Sequence, residues 1–360
     1  MTSETRLLEI GTSPHIKAPE DVREIMFNVV LALLPVTAFA IWSFGLSALL
    51  LLLITTAACV ATEHVACLLA RKPTTIKDWS VTITGLILGL TLPPGTPLWM
   101  AALGGIFGVA ITKSLFGGLG YNCFNPALVG RAFLQISFPV AITTWVPSGL
   151  PGRFTQVLPS TLTMPLMKMD AQAVSAYIEK ALSGTGIDGW SGATPLSLWK
   201  FADTPQFESS VRLFTGMVPG STGETASWLI LLCGAYLVGR NMMNWRIPAG
   251  MLGAAFLLSG VFWLSDRAAY PTPVFMLFSG GLMFGAIFMA SDMVASPMTS
   301  LGVWIYGAFI GIVTVIIRIK GALPEGVMFA ILLGNAISPL INELTQPKPY
   351  GLKKKGLFHS

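Results

Sequence analysis

Charged residues are scarce in this sequence. Asp, Glu, Lys and Arg make up only 11% of its 360 residues, whereas soluble globular proteins carry roughly 25%. So few charges cannot cover a water-facing surface, and 53% of the residues are hydrophobic. Most of the surface must therefore face lipid. The sequence predicts an all-α integral membrane protein, because helices satisfy their own backbone hydrogen bonds inside a bilayer.

Histidine and cysteine are rare as well. The three histidines are too few to favour a haem with two histidine ligands, and the four cysteines form no CxxC pair. These counts argue against a zinc or iron–sulfur site within the chain and against a disulfide scaffold, so we predict no metal site. The net charge of +5 does not indicate nucleic acid binding, because no basic helix face or basic domain accompanies it.

Long apolar runs are abundant, and they are enough for about ten membrane spans. The runs lie at roughly 25–42, 46–69, 80–92, 98–116, 124–142, 226–239, 247–264, 273–290, 301–318 and 325–343. They divide the chain into an N-terminal segment at 1–24, a first five-helix repeat at 25–142, a polar loop at 143–225, a second five-helix repeat at 226–343 and a basic tail at 344–360. Several runs are shorter than the roughly 20 residues of a straight crossing.

Lysine and arginine are concentrated before the first span, after the second, after the sixth and in the C-terminal tail. With ten spans these positions share one side of the membrane, which the positive-inside rule makes the cytoplasm. Both termini are therefore predicted to be cytoplasmic and the 143–225 loop extracytoplasmic. Arg318 and Lys320 depart from this pattern. Within the loop, 166–182 is predicted to form a surface helix that ends at Gly184.

The two halves of the chain repeat each other weakly. Gly85 and Gly89 precede a proline-rich break at 92–97, and Gly281 and Gly285 precede a second break at 290–297. Five spans in each half make the halves inverted, and inverted repeats with broken helices usually enclose a site near the middle of the membrane. The alternative is that these GxxxG pairs only pack helices.

The most distinctive segment is Asp188-Gly-Trp-Ser-Gly-Ala-Thr-Pro-Leu196 in the polar loop. Its small residues let a bulky group approach the backbone, whose N–H groups can hold a phosphate in such a turn. From the residues alone, a phosphate-binding turn and an ordinary Gly/Ser loop both remain open. The overlapping GxGxxG at 184–189 does not indicate a dinucleotide fold, because a helix rather than a strand is predicted before it.

This segment resembles the flavin-attachment motif, D-G-x-S/T-G-A-T, of the RnfD/NqrB family of membrane subunits. The segment 113–127 resembles the family's G-G-x-G-x-N-x-F-N-P-A signature. The spans and the loop between spans five and six match too, so the resemblance covers nearly the whole chain. The short segment before the first span is more similar to RnfD than to NqrB, which usually carries a longer N-terminal extension. The family shares a general likeness with urea transporters.

In this family the last Thr of the motif is esterified to the phosphate of FMN, and it corresponds to Thr194. The resemblance thus implies covalent FMN at Thr194, transferred from FAD by a flavin transferase. The other motif positions are Asp188, Gly189, Ser191, Gly192, Ala193, Pro195 and Leu196. The candidates to neutralise the phosphate are Lys200 and Arg153, and the candidates to flank the flavin ring are Trp190 and Trp199, which could instead be interfacial anchors.

The resemblance also implies a second, non-covalent flavin such as riboflavin. The residues expected near it are Lys113, Asn122, Asn125 and Arg131, although Lys113 and Arg131 could instead anchor the cytoplasmic ends of their helices. Asp292 in the second break and Glu63 are candidates for an ion path, because ionisable groups at membrane depth are usually functional. Asp292 could instead cap a broken helix, and Glu63 could extend to the cytoplasmic interface.

The function that the resemblance implies is that of a membrane subunit of an Rnf-type complex in the bacterial inner membrane. Such a subunit relays electrons through flavin while Na⁺ or H⁺ crosses the membrane, and it has no turnover alone. The implied partners are an outer flavoprotein, iron–sulfur subunits and a pair of membrane subunits. The alternative is a channel or secondary transporter for a small solute, because an inverted five-span repeat by itself fits that class.

Overall fold

The computed structural model describes residues 21–183, 193–202, 208–216, 218–224 and 226–347. This part of the chain is helical and contains no strand. Its α-helices, in chain order, are α1 (Val22–Phe44), α2 (Leu46–Leu69), α3 (Ser80–Thr91), α4 (Leu98–Phe107), α5 (Pro126–Ser137), α6 (Pro139–Thr143), α7 (Ala171–Leu182), α8 (Pro195–Phe201), α9 (Ser210–Thr215), α10 (Ser227–Gly239), α11 (Arg246–Ser265), α12 (Pro273–Phe278), α13 (Leu282–Phe284), α14 (Ser300–Lys320) and α15 (Val327–Thr345). Short π-helical turns continue α4 over Gly108–Ser114 and α13 over Gly285–Met289.

Five of these helices are long and apolar enough to cross a bilayer, namely α1, α2, α11, α14 and α15. Shorter apolar helices are α3, α10 and α4 together with its π-helical turn. Their positions agree closely with the apolar runs of the sequence. The prediction of an all-α membrane protein is confirmed, whereas the count of ten spans in two inverted halves stays a prediction.

Two of the predicted spans are interrupted. The run at 124–142 forms α5 and α6, which meet at Phe138 because Pro139 cannot continue the hydrogen bonds of α5. The run at 273–290 forms α12 and α13, separated by a turn at 279–281. Gly280 in that turn has a φ of +62°, a conformation that residues with a Cβ rarely adopt. The sequence reasoning placed the break of this span only at 290–297.

The C-terminal ends of α3 and α12 have their backbone carbonyls satisfied by other parts of the chain. Three carbonyls at the end of α3 accept hydrogen bonds from residues 222 and 223, at 2.7 Å for Gly223 N–H to Leu90. The Arg318 guanidinium donates to the carbonyls of Met276 at 2.6 Å and Ser279 at 3.0 Å, at the end of α12. Backbone groups at membrane depth need such partners, because lipid offers none.

The polar loop is anchored on the helices rather than detached from them. Its Leu158 N–H donates to the Ser47 hydroxyl at 3.0 Å, and its Arg153 carbonyl accepts from Leu46 at the start of α2. Its predicted helix at 166–182 begins only at Ala171, because the Asp170 side chain accepts from the N–H groups of Gln172 and Ala173 and so caps the helix there. Gly184 lies outside the described residues.

Helices α11 and α14 pack through glycines. Gly307 and Gly311 of α14 form a GxxxG pair, and a Cβ at Gly307 would come within 2.7 Å of the Ile247 carbonyl on α11. A Cβ at Gly311 would overlap the Met251 carbonyl. The missing side chains therefore let the two backbones approach closely, which is how helices associate when lipid surrounds them.

Candidate functional site

Thr194 lies at the start of α8, where its backbone is extended and its side chain is half-buried. The hydroxyl accepts a hydrogen bond from the Ser197 N–H at 3.3 Å and lies 3.1 Å from the Ser197 hydroxyl. Pro195 occupies the first helical position, which its fixed φ suits. Of the other predicted motif residues, Ala193 and Leu196 are among the described residues, whereas Asp188, Gly189, Ser191 and Gly192 lie outside them.

Two adjoining hollows flank Thr194, and we refer to them together as the Thr194 cleft. They share Trp145, Pro324 and Glu325 in their walls. Thr194, Leu196 and Glu224 line the first, with an empty volume of about 470 Å³. Ala193, Ser197, Phe201, Phe329 and Arg131 line the second, with an empty volume of about 890 Å³, part of it open to solvent.

Four charged side chains form a network in the wall of this cleft. Arg131 of α5 lies 2.9 Å from Glu224 and 3.6 Å from Glu325, and Arg318 of α14 lies 3.6 Å from Glu325. Arg131, Glu224 and Arg318 are buried, and Glu325 is partly buried. We refer to these residues as the Arg131–Glu224 network. Two positive and two negative groups balance one another, which buried ions require.

Burial and the neighbouring Glu325 carboxylate raise the pKa of Glu224 to about 7, above its ordinary value of 4.5, although Arg131 opposes the shift. The folded state therefore binds a proton that the unfolded chain releases between these two pKa values. The contribution of this carboxyl group to the free energy of unfolding is therefore complete below pH 4.5 and is lost as the pH rises through about 7.

Of the four side chains that the sequence predicts near the flavin, three form hydrogen bonds with backbone carbonyls in other parts of the chain. Lys200 donates to the Leu323 carbonyl at 2.8 Å, and burial lowers its pKa. Arg153 donates to the Trp42 carbonyl at 2.8 Å and lines a separate hollow. Trp199 is buried and donates to the Ala269 carbonyl at 3.1 Å. Trp190 lies outside the described residues, and Trp145 is the indole that lines the Thr194 cleft.

Sequence reasoning did not propose Glu224 or Glu325 as site residues. Arg318 did carry a signal, because it departs from the distribution of positive charges and the structure buries it completely. The rule that ionisable residues inside apolar stretches are functional candidates would have selected it. Glu224 gave no comparable signal, since it lies in a polar segment and only the fold buries it.

A further hollow, away from Thr194, lies among α1, α3, α10 and the two π-helical turns, and we call it the Lys113 cavity. Its cavity volume is about 100 Å³, within about 780 Å³ of space between atoms that is partly open to solvent. Its polar lining consists of Ser80, Thr84, Lys113, Asn122, Asn125, Ser291 and Asp292. Methionines and aliphatic residues line the remainder, among them Met26, Met242 and Met293. A largely apolar wall with a few converging polar groups is typical of a small-molecule site.

Three of the four residues expected near a second flavin thus share one cavity, and the fourth does not. Lys113, Asn122 and Asn125 line the Lys113 cavity, whereas Arg131 lines the Thr194 cleft. Arg131 lies six residues, about 1.7 helical turns, after the Asn125 cap of α5 and pairs with Glu224 rather than with a group of the cavity.

The two candidate ion-path residues are connected with this cavity in different ways. Glu63 is buried and pairs with Lys113 at 2.6 Å. Lys113 also donates to the Ser80 hydroxyl at 2.6 Å. Asp292 lines the cavity itself, and its carboxylate accepts from the Val294 N–H at 3.1 Å, within the turn that precedes α14.

Comparison with known proteins relates this chain to one family over almost all its length. The family model described as the NQR2, RnfD, RnfE family matches residues 9–351. The D component of the proton-translocating ferredoxin:NAD(+) oxidoreductase complex of Clostridium ljungdahlii is 37% identical, and the match covers 97% of each chain. The corresponding component of the Na(+)-translocating complex of Acetobacterium woodii is 39% identical over 96% of each chain. The D component of an ion-translocating oxidoreductase complex from Alcanivorax borkumensis is 35% identical over 95% of this chain and 96% of its own. This chain therefore belongs to the NQR2, RnfD, RnfE family.

Proposed function

We propose that this chain is the flavin-carrying membrane subunit of an Rnf-type ion-translocating oxidoreductase complex, with FMN joined to Thr194 through a phosphoester. One observation carries the proposal: the residue that corresponds to the family's attachment threonine presents a half-buried hydroxyl at a cleft. The resemblance of 188–196 to the attachment motif and the names of the relatives support the same function.

The residues around Thr194 fit a flavin nucleotide. Pockets for small molecules have volumes of about 300–1,000 Å³ and mainly apolar walls with a few polar groups. The larger hollow has a cavity volume of about 310 Å³, at the lower end of that range. Trp145, Phe201 and Phe329 supply aromatic walls, and Arg131 supplies a positive charge. Ala193 is small enough to leave the approach to Thr194 open.

In attachment, the Thr194 oxygen would lose its proton and form a P–O bond, with AMP leaving when FAD is the donor. The neighbouring Ser197 N–H already donates to that oxygen and can keep doing so after esterification, because an ester oxygen still accepts hydrogen bonds. The bound FMN supplies electron transfer, and the protein supplies position and electrostatic environment. A covalent bond keeps such a relay at one place.

We further propose that the Lys113 cavity holds a second flavin without a covalent bond. Lys113, Asn122 and Asn125 offer hydrogen-bond donors, and the apolar remainder of the wall suits an aromatic ring. Glu63 holds the Lys113 ammonium from outside the cavity. Asp292 lies in the same wall, so an ion path through Asp292 would pass beside this cofactor.

The proposed setting is the bacterial inner membrane, with ten spans in two inverted halves and both termini in the cytoplasm. Helices α2 and α4 pack together in the first half as α11 and α14 do in the second, which supports the repeat. The proposed partners are an outer flavoprotein, iron–sulfur subunits and two membrane subunits, with a flavin transferase for maturation. Similarity does not select the ion, because the two relatives named for protons and Na⁺ are 37% and 39% identical.

Fluorescence of the denatured protein tests the proposed attachment. The chain is produced in cells that contain the flavin transferase, separated in SDS and viewed under ultraviolet light. We expect a fluorescent wild-type band, no fluorescence for Thr194→Val, and retained fluorescence for Ser197→Val, which removes the nearest neighbouring hydroxyl. A wild-type band without fluorescence would reject the proposal and favour a solute channel or transporter. So would mass spectrometry that finds the peptide containing Thr194 unmodified.

A further inference from the structure

The Arg131–Glu224 network contains two carboxylates that are held very differently. Glu325 lies between the guanidinium groups of Arg131 and Arg318, both at 3.6 Å, and also accepts from the Gly281 N–H. Arg318 is itself fixed by the Met276 and Ser279 carbonyls. Two guanidinium groups and a backbone donor thus surround the Glu325 carboxyl group.

The surroundings of Glu224 stabilise its ionised form poorly. Its one ion pair within 4 Å in the described part of the chain is with Arg131, which Glu325 shares. Its other polar neighbour is Ser221. The charged groups that face Glu224 are Arg131 from α5, Arg318 from α14 and Glu325 from the turn before α15. Burial and a second carboxylate both disfavour its ionised form.

Glu224 lies where a charge that enters the Thr194 cleft would act on its carboxyl group. Glu224 lines the same hollow as Thr194, and the network is electrically balanced when all four groups are ionised. An additional negative charge in the cleft would leave this buried region with an uncompensated charge, which costs free energy at low dielectric. Neither arginine can respond, because guanidinium groups stay protonated in proteins.

We propose that Glu224 is a proton-accepting group that compensates negative charge in the Thr194 cleft. When an anionic group occupies the cleft, the Glu224 carboxylate takes one proton from the aqueous phase and becomes a neutral carboxyl, and no other bond changes. The identity of that group as a flavin phosphate rests on the proposed function. The charge response itself belongs to the chain and can be measured without flavin.

A fixed charge at residue 194 provides the test. Thr194→Glu places a carboxylate at the cleft, and Thr194→Gln is the uncharged control of nearly equal size. The full chain, made without flavin transferase, is titrated while infrared difference spectroscopy follows the C=O band of protonated carboxyls. We expect the midpoint of this titration to lie about one pH unit higher in Thr194→Glu, because a like charge in the same hollow disfavours the ionised Glu224 carboxylate.

Two further variants assign the band. Glu224→Gln should remove it, and Glu325→Gln should leave it in place. Equal midpoints in Thr194→Glu and Thr194→Gln would overturn the proposal, as would loss of the band only in Glu325→Gln. Because these measurements contain no flavin, their result is independent of whether FMN attaches to Thr194.

Thermal unfolding gives a second readout, which can be measured even when a variant is less stable than the wild type. The wild-type Tm should fall as the pH rises through about 7, and this fall should be smaller in Glu224→Gln, which cannot titrate. An unchanged slope in Glu224→Gln would contradict the assignment. Attaching FMN to the wild-type chain should raise the infrared midpoint in the same direction as Thr194→Glu does.

Discussion

At the scale of single residues, threonine hydroxyl groups occupy two kinds of position in this protein. Many threonines in the helices bond to the carbonyl four residues earlier and need no other partner, as Thr37 and Thr84 do. Thr194 instead begins a helix and presents its hydroxyl at a cleft. Thr84 differs from Thr37 in one respect, since it also lines the Lys113 cavity.

Substitutions at Thr84 and Thr37 test whether a second flavin binds in the Lys113 cavity. Thr84→Leu adds apolar volume to the Lys113 cavity and removes only a hydrogen bond within α3, from the Thr84 hydroxyl to the Ser80 carbonyl. We expect acid extracts of purified Thr84→Leu to contain at least roughly tenfold less non-covalent flavin, the effect of about 1.4 kcal/mol. Thr37→Leu, which loses the same kind of bond outside the cavity, should retain the wild-type amount. Equal flavin in both variants would place that cofactor elsewhere.

At the scale of helices, glycine decides how closely neighbouring backbones approach. The GxxxG pair of α14 lies against the carbonyls of Ile247 and Met251 on α11. The same residue type has no such role at Gly253 of α11, where an added Cβ would meet no atom within 4 Å. The sequence pattern alone does not separate these two cases, because both glycines lie in apolar helices.

The two glycines therefore predict opposite results for the same substitution. Gly311→Ala should force α11 and α14 apart and lower the free energy of unfolding by about 1–3 kcal/mol, the usual cost of overpacking. Gly253→Ala should leave it unchanged or raise it slightly, because alanine favours a helix by up to about 1 kcal/mol. Thermal unfolding of the two purified variants in the same detergent measures the difference. A stable Gly311→Ala would mean that this helix contact adjusts at little cost.

At the scale of the whole molecule, the distribution of positive charge predicts the direction in which the chain crosses the membrane. Lys72 lies in the segment between α2 and α3, on the predicted cytoplasmic side. The loop that carries Leu166 lies on the opposite, outer side in this prediction. Leu166 is 91% exposed, and Lys72 is exposed as well, so both positions are accessible to a reagent from solution.

Cysteine labelling checks this topology. In a chain whose Cys67 and Cys123 are replaced, a membrane-impermeant maleimide added to intact cells should label Leu166→Cys and leave Lys72→Cys unlabelled. Both variants should react after the membrane is permeabilised, which controls for folding and reagent access. Labelling of Lys72→Cys alone in intact cells would reverse the orientation and place the Thr194 cleft on the cytoplasmic side.

The sequence by itself determined the helical membrane character and most helix boundaries, and it predicts Thr194 as the site of flavin attachment. These features are local, because hydropathy, capping and a short motif depend on neighbouring residues. Where a boundary was wrong, as at residue 166, another local signal, the Asp170 cap, decided the outcome.

Only the tertiary structure decided which polar groups meet. Arg131 and Glu224 are 93 positions apart in sequence, and Glu63 and Lys113 are 50 positions apart. The reason is physical: a buried charge is tolerated only beside its counter-charge, and the packing of distant helices selects that partner. Sequence reasoning therefore grouped Arg131 with Asn125, its neighbour along the chain, whereas the fold placed it beside Glu224 at the Thr194 cleft.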